Sequence, residues 1–393
     1  MLEPILVSMF CVSAALIIYH HLGYPLLLKF ASNKTSKMVD RQANRAYQAN
    51  SDDKLRPSVT IVVPAYNEQN WIAQKIRNLA CIDYPKNKFK VIIACDGCAD
   101  DTAEIAEATI QEAICCETHF EIIKFDSNRG KVALINHIMT TLDSDITALS
   151  DVSALISIDA LLLAEQRFSD PKVGVVNSQY HILNTNNQGE RDYWRYQTML
   201  QQGEANIGAN IGAHGALYFF RTHLFKPLAS NVINDDFVLP MQIIKRGHTA
   251  VYEPKVIALE LESSNQRADF KRRIRISAGN MQQIVILAKL LLPRYRAVAF
   301  AFMSGKTLRL LTPYLMLICL FTSLALMSNP IFQALALGQI MFYAIALAGM
   351  IAPSTLNQRL VRVISYFVLG HFANLYGGLR YLFGLENGRW ERV

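Results

Sequence analysis

Carboxylates, amines and thiols gather in a few short stretches of this 393-residue chain. Tyr66 and Glu68 follow one apolar run, Cys95-Asp96-Gly97-Cys98 closes a second, Arg129-Gly130-Lys131 follows a third, and Ser150-Asp151-Val152-Ser153 ends a fourth. Asp96 is an acceptor-only group, and Asp-Gly is equally an ordinary turn dipeptide. Glu68 stands where a helix opens, so it either meets a ligand or complements the helix dipole. Lys131 either neutralises a phosphate or is a solvated surface lysine. Asp235 and Asp236 are adjacent acids, each raising the other's pKa as a general base requires; Asp is also a preferred cap for the helix Val238–Ile244. Arg272, Arg273 and Arg275 form a basic run suited to a diphosphate or to lipid headgroups. Cys95 and Cys98 have redox-motif spacing, and a zinc knuckle would need a second such pair, which the sequence lacks.

These residues need elements to hold them. Ser58–Pro64 is a β-branched run of strand length, and Ile72, Ile76 and Leu79 then repeat at helical spacing. Strands over Lys90–Cys95, Glu121–Phe125 and Ile146–Ser150 alternate with helices opening at Asp100-Asp101-Thr102 and covering Lys131–Leu142. That β-α-β-α-β-α-β order predicts an α/β domain with a mainly parallel sheet, whose ligands sit outside the carboxyl ends of the strands. Tyr66, Glu68, Asp96, Arg129, Lys131 and Asp151 all fall there. No Walker loop and no G-x-G-x-x-G occurs, which argues against an ATPase or a dehydrogenase.

Composition adds a membrane. Apolar residues make up 51% of the chain and charged residues 18%, and the excess is concentrated: Pro4–Leu28 and Leu310–Gln358 contain no Asp, Glu, Lys or Arg. At roughly 20 residues per crossing, the first fits one span and the second two, broken at Ser328-Asn329-Pro330. Val363–Leu379 is a fourth, shorter segment that is a span, a re-entrant piece or an interfacial helix. A cleaved signal peptide is the weaker reading of the N-terminus, which lacks a basic start and a clear cleavage site. The net charge of +7 borders these spans, at Lys29, Lys34, Lys37, Arg41 and Arg45, at Lys306 and Arg309, and at Arg359 and Arg362. The positive-inside rule then puts the large middle region in the cytoplasm and the N-terminus outside. Four full spans would leave Arg389, Trp390 and Arg392 outside, against that trend. Basic residues placed this way speak for membrane lipids and not for nucleic acid. Seven scattered cysteines suit a reducing compartment.

Taken together and in order, these strings resemble the family 2 glycosyltransferases, whose catalytic domain has the nucleotide-diphospho-sugar (GT-A) fold. They are Pro64-Ala65-Tyr66-Asn67-Glu68, Asp96-Gly97 with Asp100-Asp101-Thr102, Asn128–Lys131, Ser150–Ser153, Gly212–Ala216, Asn234–Phe237 and Arg272–Gly279. With hydrophobic flanks, the chain is similar to the membrane-bound branch that holds the hyaluronan, chitin, cellulose and poly-N-acetylglucosamine synthases.

The resemblance implies roles. Tyr66, Glu68, Asp96, Lys131, Asp151, Arg273 and Arg275 would bind a UDP-sugar, Asp96 accepting from the uracil imide and Arg275 holding the diphosphate. Asp151, with Ser153, would hold Mg2+ or Mn2+. Asp236, paired with Asp235, would be the catalytic base. His214 and Trp194 would face the acceptor, although Tyr193-Trp194-Arg195-Tyr196 reads equally as an amphipathic helix. The sequence departs from the family in two places: Ser153 replaces the second carboxylate of D-x-D, and Ile276 replaces the tryptophan of Q-R-x-R-W. Arg272 also stands for that motif's glutamine.

The expected organisation is an N-terminal transmembrane helix (1–31), a basic linker (32–57), a GT-A domain (58–280), interfacial helices (281–306) and a C-terminal transmembrane region (307–393). The expected function is an inverting transfer from a UDP-sugar to a glycan, in polysaccharide synthesis at a bacterial inner membrane. Transfer of one sugar to a glycolipid or other lipid acceptor is the first alternative; a catalytically degenerate membrane scaffold is the second.

Overall fold

The computed structural model describes residues 2–35, 45–183, 188–262, 266–352 and 358–386. Much of the basic linker, with Lys37 and Arg41, and the tail with Arg389, Trp390 and Arg392 lie outside them. The chain opens with α1 (Leu2–Ile18) and α2 (Tyr24–Thr35). It continues through β1 (Val59–Ala65), α3 (Ile72–Ala80), β2 (Phe89–Asp96), α4 (Thr102–Thr109), β3 (His119–Phe125), α5 (Lys131–Met139), β4 (Ile146–Leu149) and β5 (Ala154–Ile156). Then come α6 (Ala160–Phe168), β6 (Val173–Ile182), α7 (Gln188–Asn206), β7 (Tyr218–Arg221), α8 (Asp235–Lys245) and β8 (Thr249–Glu260). The last helices are α9 (Gln266–Ile286), α10 (Ala297–Ala301), α11 (Leu308–Ala325), α12 (Pro330–Ile351) and α13 (Arg359–Leu382).

Two compact units result. The α/β unit comprises Thr35–Asn186 and Trp194–Ser264, and the helical unit Met1–Lys34, Asn187–Tyr193 and Asn265–Glu386. In the α/β unit eight strands form one sheet, ordered β3-β2-β1-β4-β7-β6-β8-β5. β1, β2, β3 and β4 pair in parallel, as the alternating pattern predicts. Every residue of β1 is buried, which is why its sequence reads as an apolar run broken by Thr60 alone. Beyond β4 the order changes. β7 runs antiparallel to both β4 and β6, β6 and β8 are parallel, and β5 closes the edge antiparallel to β8.

One core runs under this sheet, filled by β1, β2 and α3 (Ile72, Ile76, Leu79) and by α6 (Leu161–Ala164). The expected helix from Lys131 ends at Met139, short of Leu142, where Thr140 and Thr141 turn their hydroxyls onto the carbonyls of His137 and Ile138. Such local bonding competes with helix propagation.

Among the described residues of the helical unit, three helical runs are long and apolar enough to cross a bilayer: Leu2–Ala31, Ala297–Ala325 and Pro330–Ile351, with mean hydropathies of 2.0, 1.7 and 1.9. The second begins well before Leu310, because α10, a π turn (Phe302–Thr307) and α11 are continuous. A second π turn, Tyr19–Gly23, joins α1 to α2. A π turn shifts the hydrogen-bond ladder by one residue, and side chains take up the slack. Here His20 Nδ1 donates to the Ser304 carbonyl at 2.8 Å, and the Tyr19 hydroxyl meets Ser304 Oγ at 2.9 Å. The fourth hydrophobic segment is one unbroken helix, α13, packed on α9. Gly377 makes that contact possible, since a Cβ there would fall 2.4 Å from the Ile274 carbonyl oxygen. α9 itself runs without a break through residue 280 to Ile286.

Candidate active site

At the carboxyl end of β2 the Asp96 side chain is fully buried and accepts two backbone N–H donors, Arg129 at 3.0 Å and Gly130 at 2.8 Å. It therefore ties the loop after β2 to the loop that launches α5. Gly97 is required there: its φ is +63°, and a Cβ would lie 2.4 Å from the Ser127 carbonyl carbon. A second tie joins the loops after β1 and β2. Asn67 Oδ1 accepts from the Ala99 amide at 2.8 Å, and the Glu68 amide donates to Thr102 Oγ1 at 2.7 Å. Glu68 also opens α3, its carbonyl accepting from Trp71 and Ile72, and Tyr66 stands half-buried beside it. Cys95 and Cys98 are free thiols in mutual contact, which pulls the half-buried Cys98 down to about 7.

Gly130, at φ +88°, starts α5 and puts Lys131 in its first position. Lys131 Nζ donates to Asp151 Oδ1 at 2.8 Å and lies 3.8 Å from Asp235 Oδ2. Burial draws the pKa of this ammonium down, but Asp151, Asp235 and Asp236 more than offset it and leave it raised. Lys131 is thus a fixed cation among three carboxylates. Two of these residues, Asp151 and Asp236, are linked through Gly215, whose carbonyl accepts from the Asp151 amide at 3.2 Å and whose amide donates to Asp236 Oδ2 at 3.2 Å. Asp236 in turn accepts, through its carbonyl, from the Ala213 amide at 3.0 Å. Both Asp235 and Asp236 sit in the first turn of α8, where the helix dipole favours negative charge.

Asp151 begins the turn after β4, with Ser153 buried two residues on. Its Oδ2 lies 2.8 Å from where a Cβ on residue 215 would be, so only glycine leaves that oxygen its space. One carboxylate and one hydroxyl fit a divalent cation whose shell is completed by water and diphosphate oxygens, the usual arrangement for Mg2+. Among the described residues, no group of three or more His, Cys, Asp or Glu could hold an ion without such help.

His214 stacks on Tyr180, with ring centroids 3.8 Å apart, and Trp194 closes the group at 4.4 Å from Tyr180 and 5.3 Å from His214. His214 Nδ1 accepts from the Ala216 amide at 3.2 Å. These three rings adjoin the loop that carries Gly215. Arg273 and Arg275 belong to α9 of the helical unit, where Arg273 donates to the Tyr366 hydroxyl at 2.6 Å and packs over its ring. Arg275 is half-buried there, and Ile276 is 38% exposed.

Two polar residues at this site are absent from the sequence reading. Tyr218, on β7, is fully buried; its hydroxyl has no hydrogen-bond partner among the described residues and lies in the field of Asp235, Asp236 and Asp151. At the head of the aromatic run Tyr218-Phe219-Phe220 it passes for core. Lys75 is also completely buried, with Nζ donating to Ser150 Oγ at 2.6 Å and to the Ala154 carbonyl. Burial pushes its ammonium down to about 7, against the attraction of Asp151 and Glu260. A signal did exist for Lys75: it shares the face of Ile72, Ile76 and Leu79, where a core helix tolerates a charge only with partners.

The family profile described as "Glycosyltransferase like family 2" matches residues 57–279. The chain is 28% identical over 159 residues to the beta-monoglucosyldiacylglycerol synthase of Trichormus variabilis, covering 40% of this chain and 32% of that protein. It is 21% identical over 253 residues to the probable glycosyltransferase YdaM of Bacillus subtilis, covering 60% and 57%. It is 22% identical over 267 residues to an N-acetylglucosaminyltransferase of Sinorhizobium fredii, covering 61% and 62%. The matched region is therefore less than two thirds of each relative's length. Among solved structures, the mannosyltransferase PcManGT from Pyrobaculum calidifontis, in complex with GDP-Man and Mn2+, superposes with a TM-score of 0.71. That match has 20% identity and covers 96% of this chain and 100% of the other. At such identity the likeness concerns the fold, which is the GT-A fold.

Proposed function

The chain belongs to the family 2 glycosyltransferases, enzymes of sugar transfer, and from that premise we propose an inverting transferase that moves a sugar from a UDP-sugar to an acceptor hydroxyl at a membrane surface. The observation that carries the proposal is the set of three carboxylates around Lys131, with Asp151 and Asp236 joined through Gly215.

In this reading Asp236 is the general base. The acceptor oxygen attacks the anomeric carbon, its proton passes to an Asp236 carboxylate oxygen, and the bond from that carbon to the UDP oxygen breaks, inverting the centre. The Gly215 amide fixes the direction of Asp236 before the acceptor arrives. Lys131 supplies positive charge where the diphosphate leaves, already oriented by Asp151 and Asp235. Mg2+ or Mn2+, held by Asp151 with Ser153, would contribute Lewis-acid stabilisation of the departing diphosphate. Asp96 shapes the base pocket by holding the Arg129–Gly130 backbone. Tyr66 and Glu68 flank that pocket. The Tyr180–Trp194–His214 group offers the acceptor apolar ring surface of the kind sugars stack on.

The three membrane-length helices support a reaction at a bilayer, and the positive-inside rule favours the cytoplasmic side for the basic flanks and the α/β unit. They also favour a second reading of the acceptor, a lipid-borne hydroxyl glycosylated once, as the name of the Trichormus relative suggests for that protein. Purified enzyme in detergent, given labelled UDP-glucose, UDP-N-acetylglucosamine and GDP-mannose with Mn2+, tests both. Incorporation from a UDP-sugar with an inverted anomeric centre supports the proposal, and a ladder or a single lipid product separates glycan extension from lipid glycosylation. Incorporation from GDP-mannose alone overturns the donor assignment. No transfer and no nucleotide binding would return the scaffold alternative.

A further inference from the structure

The turn that carries Asp151 and Ser153 lacks the second carboxylate of its family, yet it is held from beneath by a charged side chain. Lys75 reaches it from α3 through the core. Its Nζ donates at once to Ser150 Oγ, the residue before Asp151, and to the carbonyl of Ala154, the residue after Ser153. Ser150 is itself tied to the sheet, donating through Oγ to the Ala216 carbonyl at 2.6 Å and through its amide to the Val62 carbonyl at 3.1 Å. Ser153 is tied through its carbonyl to the Leu261 amide at 2.9 Å. The turn is thus pinned at both ends, and the pin common to the two ends is Lys75.

A fully buried lysine is costly, and a core helix facing β5 would be served better by leucine or methionine. The position makes sense if the amine has work that no apolar side chain can do. Two N–H donors reach two acceptors that bracket a three-residue turn, and a neutral amine retains both donors, so the clamp does not depend on the charge.

We propose that Lys75 is a positioning residue for the diphosphate and metal site: by clamping Ser150 and Ala154 it fixes the Asp151–Ser153 turn in the geometry that one carboxylate and one hydroxyl need to hold a cation against a diphosphate. This rests on the donor-site reading given above. Here, rigidity stands in for the missing carboxylate.

The test compares wild type, Lys75→Met and Asp151→Asn as full-length protein in detergent, titrated with UDP in the presence and absence of MnCl2. Hydrogen exchange is followed in the segment 146–156 without any ligand. Asp151→Asn should abolish the Mn2+-linked gain in UDP affinity. Lys75→Met should weaken that gain about tenfold, as loss of an outer-shell partner does. It should leave metal-free UDP binding unchanged and speed exchange at 150–154. If wild type binds UDP with Mn2+, and Lys75→Met matches it in both affinity and exchange, the clamp is refuted while the donor site stands. If wild type binds neither UDP nor GDP, the donor reading falls, and unaltered exchange in Lys75→Met would refute the clamp separately. Should Lys75→Met fail to fold, Ser150→Ala removes one of the two acceptors and should show the same pattern at smaller amplitude; wild-type behaviour there would also refute the clamp.

Discussion

The two halves of the sheet solve different problems. In β3-β2-β1-β4 the strands are parallel and their loops are tied to one another through side chain and backbone, by Asp96, Asn67 and Thr102. These ties are neutral or accept backbone donors, and they build a rigid rim. In β7-β6-β8-β5 the directions are mixed, and the polar groups near the site are carboxylates, a phenol with no partner among the described residues, and stacked rings. The difference teaches where shape is made and where chemistry is made. In the proposed function the parallel half cradles the nucleotide and contributes Asp151 from the turn after β4, while the mixed half supplies Asp235 and Asp236 at the start of α8.

Substitutions can break or sharpen that contrast. Asp236→Asn should lower the transfer rate most, by at least about 100-fold, while nucleotide affinity holds; steady-state kinetics beside UDP binding would show it, and full turnover in a folded variant would remove Asp236 from the chemistry. Lys131→Met should cost about 3 kcal/mol of stability, because Asp151 and buried Asp235 lose their cation. The drop would be read as a lower melting temperature, together with weaker UDP binding. Gly97→Ala and Gly212→Ala each force a side chain onto positive φ and into a neighbour, the Ser127 backbone for one and the Phe237 ring at 2.2 Å for the other. Each should cost about 1–3 kcal/mol. Gly97→Ala should weaken nucleotide binding, whereas Gly212→Ala should act on turnover with nucleotide affinity preserved, and a reversal of those effects would undo the division of labour. Tyr218→Phe should change stability least, by less than about 1 kcal/mol, because its hydroxyl has no partner to lose among the described residues. A fall in kcat there would mark the hydroxyl as part of the acid cluster.

Lys75 adds a dependence on pH. Its folded value of about 7 lies below the 10.5 of an exposed lysine. Between those values the unfolded chain holds a proton that the native state has released, so native stability rises as pH climbs from 7 toward 10. Melting curves across that range should show the rise in wild type, and Lys75→Met should flatten it.

How far the sequence could be read follows the same boundary. β1 to β4 come from local β-α-β units, whose apolar runs and helical spacing are visible within a short window, and their ends lie within a residue or two of expectation. β5 to β8 return from far along the chain and pair in mixed directions, a pattern set by tertiary packing that no local periodicity announces. At the site, the order of motifs singled out Lys131, Asp151, Asp235 and Asp236, and the structure gathers them around one ammonium. The bridge through Gly215 was not legible, because it is made of backbone and has no residue type to betray it. Lys75 was legible only as an anomaly on an apolar face. Asp96 was seen as a ligand group; its hold on the next loop depends on a meeting of two loops that the sequence does not display.

That backbone bridge has a consequence for how such an enzyme diversifies. The separation between Asp151 and Asp236 is fixed by the amide and carbonyl of one residue that carries no side chain. Ala213, His214 and Ala216 around it can therefore be exchanged over generations without moving the two carboxylates apart. If the proposed function holds, new acceptors can be tried on the ring surface at His214 and Trp194 while the reaction's internal ruler keeps its length.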